Sequence, residues 1–68
     1  MDSQKDLKRL SNLIKSARKK KKMTQAQVAE KAGVNKNYYA VIERGETNPS
    51  YTTLRKLGEV LDIKLLPL

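Results

Sequence analysis

Residues 25–45 read QAQVAEKAGVNKNYYAVIERG, with Thr24 immediately before them. Thr24 followed three residues later by Gln27 has the form of a capping box, in which each side chain satisfies the other residue's free backbone N–H. A helix over 25–32 follows, with Val28, Ala29 and Ala32 facing inward; these are small, so another helix can approach closely. Gly33 ends it, because glycine takes the left-handed conformation without steric cost. Asn35 then caps a second helix over 36–44, with Tyr39 and Ile42 inward and Gly45 closing it. Only about three residues separate the two helices, so they cannot lie antiparallel and must cross steeply. Ala29 is small where the crossing occurs, and Val34 plugs the angle.

Working outward, Leu7, Leu10, Ile14 and Ala17 recur at intervals of three and four. That spacing predicts an amphipathic helix over 6–21, with a second face that is nearly all Lys. The run Lys19 to Lys22 repels itself at i,i+3 and i,i+4, although a helix C-terminus offsets part of the cost through its dipole. On the other side, residues 46–50 contain Asn, Pro and Thr and read as a loop. Ser50 is the expected cap of a last helix whose apolar side is Leu54, Leu57, Gly58 and Leu61. Asn48 with Pro49 at the first helical position is the competing start. The tail Ile63, Lys64, Leu65, Leu66, Pro67, Leu68 is apolar enough to pack on the domain or to invite a partner.

The 68 residues suffice for one domain over 1–68, since a chain this short buries only roughly 60% of its unfolded surface. Cysteine and histidine are absent, which removes disulfides, zinc fingers, thiol nucleophiles and imidazole chemistry together. With no glycine-rich phosphate loop and no clustered carboxylates, an enzyme is the least favoured class. No apolar run approaches the roughly 18 residues of a membrane span, and the N-terminus lacks the apolar core of a signal peptide. No membrane association and a cytoplasmic address are the expectations.

The formal net charge is +8 and sits at one end. Residues 1–23 hold nine Lys/Arg against two Asp, residues 24–45 three against two, and residues 46–68 three of each. A basic end attracts phosphate polymers by releasing their condensed counterions. The same charge also serves as an ordinary solvated helix face.

The residues from Ile14 to Leu61 resemble the Cro/C1-type (XRE, lambdoid-repressor-like) helix-turn-helix domains. The resemblance rests on Ile14 with Arg18, Thr24-Gln25, Val28-Ala29, Gly33-Val34-Asn35, Ile42-Glu43-Arg44-Gly45, Pro49-Ser50, Leu54, Leu57 and Leu61. It implies an all-α, four- to five-helix domain with its helix-turn-helix unit at 25–44. A fifth helix would have to fit beyond Leu61 or give way to an extended tail, and a short C-terminal β-strand is the other form that tail could take. Lys22 and Asp62 stand where the family commonly has glycine, and Tyr39 where it usually has an aliphatic residue.

The resemblance also implies a sequence-specific transcriptional regulator, a repressor or autoregulator, that binds double-stranded DNA at a palindromic operator as a homodimer without a cofactor. Lys36, Asn37, Ala40 and Val41 then face the major groove, with Gln25 beside them touching phosphate or base. Asn can pair bidentately with adenine, Lys can donate to guanine, and Ala or Val can meet the thymine methyl. Tyr38, Arg44, Thr47 and Asn48 are the expected phosphate contacts, although Tyr38 stacked on the preceding helix is an equal reading. Arg18 and Glu43 form an expected structural ion pair, either partly buried or merely exposed. Leu61, Ile63, Leu65 and Leu66 in or beside the tail at 62–68 are the expected dimerisation residues. The alternative is an antitoxin or interaction module whose main partner is a toxin or a polymerase subunit.

Overall fold

The computed structural model describes residues 3–65. They form four helices: α1 (Ser3–Lys20), α2 (Gln25–Ala32), α3 (Lys36–Glu43) and α4 (Tyr51–Leu61). No strand occurs among the described residues, and beyond α4 the chain turns at Asp62 and runs without regular structure as far as Leu65. Among the described residues no helix is long and apolar enough to cross a membrane.

Each boundary has a local cause. Thr24 and Gln27 form the capping box, with Thr24 Oγ1 accepting from the Gln27 N–H at 3.0 Å and Gln27 Oε1 accepting from the Thr24 N–H at 2.8 Å. At the far end Gly33 sits at φ 71°, and the Val34 N–H returns to the Ala29 carbonyl at 2.9 Å. The Asn35 side chain accepts from the N–H groups of Asn37 and Tyr38 and starts α3. Ser50 caps α4 by accepting from the Thr53 N–H at 3.2 Å, so the competing start at Asn48-Pro49 is not taken. α1 begins at Ser3, ahead of the expected residue 6, and α3 ends one residue early, with Arg44 as its cap.

α2 packs against α3 and α4, while α1 lies against α3 and α4. Ile14, Val28, Tyr39, Ile42, Leu57 and Leu61 meet in a core from which solvent is excluded, with Ala17, Ala29 and Ala32 filling the close approaches. The two family glycine positions occupied by other residues adopt the glycine-like backbone all the same: Lys22 has φ 58° and Asp62 has φ 57°. Past Asp62 the chain turns back over α4 at Gly58, where the Ile63 N–H donates to the Gly58 carbonyl at 3.0 Å. A Cβ on Gly58 would lie 2.8 Å from the Ile63 carbonyl oxygen, so only glycine leaves room for this return.

Leu61, one of the expected dimerisation residues, lies in the core of the domain. It is 2% exposed, because it follows Leu57 by four residues on the inward face of α4. Ile63 and Leu65 are half-buried against that core. With Tyr51, Leu54 and Gly58 they line an open groove of about 480 Å³. Leu66 and the last two residues lie outside the described part of the chain.

Candidate nucleic-acid interface

Helix α3 divides its residues by face. Tyr39, Ile42 and Glu43 are buried. Lys36 and Asn37 are exposed, and Ala40 and Val41 are half-buried. The spacing i, i+1, i+4, i+5 sets these last four along one side of the helix, opposite the core. With its side chains an α-helix is roughly 10–12 Å across, comparable with the roughly 12 Å width of the B-DNA major groove. Because Asn35 already satisfies the Asn37 and Tyr38 N–H groups, the start of the helix stays ordered at the surface. Tyr38 is half-buried and packs against the core.

Beneath this surface lies the polar centre of the domain. Glu43, with only 1% of its side chain exposed, accepts from Arg18 Nε at 2.6 Å and from Arg18 Nη2 at 3.2 Å. Arg18 Nη1 also donates to the Met23 carbonyl at 2.8 Å, tying the α1–α2 corner to the same pair. The Tyr39 hydroxyl donates to Glu43 Oε2, and Gln25 Nε2 donates to Glu43 Oε1 at 3.1 Å. Burial pushes the Glu43 carboxyl up, but hydrogen bonds from Arg18, Tyr39 and Gln25 outweigh it and leave the group below its ordinary value. The carboxylate in turn raises the Arg18 guanidinium, while burial and the bond to Glu43 raise the Tyr39 phenol. Every buried side-chain polar atom among the described residues has a partner.

The expected ion pair of Arg18 and Glu43 is thus present and is of the buried kind. Gln25 is half-buried at the start of α2, with its amide brought onto Glu43. Arg44, Thr47 and Asn48 follow α3 on the loop; Arg44 and Asn48 are exposed and Thr47 is half-buried. The Arg44 guanidinium also meets Glu46 at 3.1 Å in a solvated pair. Two features escaped the sequence reading. One is the Tyr39 hydroxyl, and the other is the bond that joins Gln25 to the ion pair. The first has a sequence signal, since Tyr39 and Glu43 are four apart on one helix. The second depends on how α2 crosses α3 and has none. Among the described residues there is no cluster of His, Cys, Asp or Glu that could hold a metal ion.

The comparisons with known proteins agree with this geometry. The family model described as "Helix-turn-helix" matches residues 14–68. The "Immunity repressor protein" of Bacillus phage phi105 is 46% identical over 52 residues, covering 76% of this chain and 36% of that protein. The "HTH-type transcriptional regulator SinR" of Bacillus subtilis (strain 168) is 47% identical over 53 residues, 76% of this chain and 48% of that protein. The "Uncharacterized HTH-type transcriptional regulator YqaE" of the same strain is 38% identical over 55 residues, 81% of this chain and 47% of that protein. The chain thus spans between about a third and a half of the length of these curated relatives. No solved structure matches. The family match reaches from α1 through the end of the chain and includes both crossed helices, so the chain belongs to the Cro/C1-type helix-turn-helix family.

Proposed function

We propose that the protein is a sequence-specific DNA-binding regulator, a repressor of transcription, that docks α3 in the major groove of an operator. The observation that carries this is the division of α3: its inner residues are buried, while Lys36, Asn37, Ala40 and Val41 share an outer side supplied with base-reading chemistry. Family membership and relatives named as regulators and as a phage repressor support the same reading. Gln25 flanks α3 and contacts phosphate or base. Tyr38, Arg44, Thr47 and Asn48 contact the phosphates that fix the register without carrying sequence information.

The functional unit is a homodimer. One helix of eight residues reads only a few base pairs, so a selective site calls for two copies of α3 on half-sites about 34 Å apart. Ile63 and Leu65, on the groove beside α4, supply the apolar contact between copies. A cytoplasmic location fits this function.

Selection of duplexes from a random pool at moderate salt tests the proposal. It should return a two-fold symmetric site, and replacement of Lys36 or Asn37 by Ala should weaken binding by about 1–3 kcal/mol for each side chain that reads a base. The absence of any preferred site would refute the regulator, and a solution mass of one chain at micromolar concentration would refute the dimer.

A further inference from the structure

Glu43 is where the core meets the outer side of the two crossed helices. A carboxylate offers about four lone-pair positions, and four donors converge on this one. Oε2 takes Arg18 Nε at 2.6 Å and the Tyr39 hydroxyl; Oε1 takes Arg18 Nη2 at 3.2 Å and Gln25 Nε2 at 3.1 Å. The Tyr39 ring is fully enclosed, so its hydroxyl comes from a fixed place. Burial and the bond to Glu43 keep that phenol protonated far above neutral pH, which makes it a permanent donor. Gln25 is the one participant of the four that belongs to the proposed DNA contact and is half-open to solvent.

We propose that Tyr39 is a positioning residue for DNA recognition: by holding one oxygen of Glu43 it fixes the other, and through it the orientation of the Gln25 amide. The amide nitrogen is turned toward Glu43. The reverse orientation would set the amide carbonyl oxygen against a carboxylate oxygen, a repulsive contact in a site nearly closed to water. One N–H is thereby engaged inward, and the carbonyl oxygen with the second N–H is left for the duplex. Without the phenol, Oε2 keeps only Arg18, the carboxylate gains freedom to rotate, and Gln25 loses its fixed anchor. Phenylalanine at position 39 would keep the ring in the core and leave Gln25 to find its orientation on binding, at a cost in side-chain entropy. The inference rests on the reading that Gln25 touches DNA.

The test compares the wild type, Tyr39→Phe, Gln25→Ala and the double variant for binding to the selected duplex, each below its own melting temperature. In parallel, NMR follows the Gln25 side-chain amide in the free protein. Tyr39→Phe should weaken binding by about two- to tenfold, the net worth of roughly one hydrogen bond. It should also shift the Gln25 amide resonances and add nothing in the Gln25→Ala background. An equal loss in both backgrounds would show a purely structural tyrosine and overturn the inference while leaving the DNA reading intact. A solvent-averaged Gln25 amide in the wild type would do the same with no variant needed. A wild type that selects no duplex, yet shows the anchored amide, would bring down the DNA reading and the role of Tyr39 with it.

Discussion

The two sides of α3 are built by opposite rules. On the inner side Tyr39, Ile42 and Glu43 are sealed from water, and the charge among them is met by Arg18, Tyr39 and Gln25. On the outer side Lys36 and Asn37 stand in solvent beside the half-buried Ala40 and Val41. A polar group inside must be satisfied by the chain itself, because an unpaired buried charge is costly. A polar group outside is satisfied by water and can exchange that water for a ligand. Stability should therefore reside on one side and recognition on the other, with Gln25 the residue that reaches both.

The largest effect should come from the inner side. Glu43→Ala leaves Arg18 facing a hole and should cost about 3–5 kcal/mol in urea unfolding, a large part of what a domain of this size has available. Asn37→Ala should cost about 1–3 kcal/mol of operator binding with unfolding stability held within about 0.5 kcal/mol. A matching loss of stability at Asn37 would erase the distinction between the sides.

Acid should act on the inner side as well. The folded Glu43 carboxyl titrates below its ordinary value of 4.5, so the unfolded chain takes up the proton first. Its stabilisation is complete above pH 4.5 and is lost as pH falls through the folded value. The unfolding free energy of the wild type should fall over this range more steeply than that of Glu43→Gln. The smallest effect belongs to Arg55→Ala. The Arg55–Glu59 pair, at 3.1 Å but with 52% and 65% of its side chains exposed, should contribute about 0.3–0.5 kcal/mol at most. The same two residue types thus make a strong pair at 18 and 43 and a weak one at 55 and 59, and a comparable loss at both would undo that contrast.

The elements that close locally were legible in the sequence. The cap at Thr24, the left-handed turn at Gly33 and the start at Asn35 each use groups within a few residues, and each is found where the spacing placed it. The pairing of Arg18 with Glu43 spans 25 positions and was visible only through family resemblance. What joins separate helices was less accessible. Gln25 reads in sequence as a phosphate or base contact, and only the crossing of α2 over α3 brings its amide onto Glu43. Leu61 was legible on the apolar side of α4 from its four-residue interval after Leu57, and it lies in the core as that interval places it.

Lys22 and Asp62 hold left-handed backbone without being glycine. Such a corner costs an L-residue roughly 1–2 kcal/mol, less for aspartate, whose short side chain can bond locally. In a chain of 68 residues this is a noticeable share of the whole. Glycine at position 22 would relieve it and remove one of four consecutive cations. The α1–α2 corner therefore sets thermal tolerance against positive charge, and a more heat-resistant version of the domain would be a less basic one.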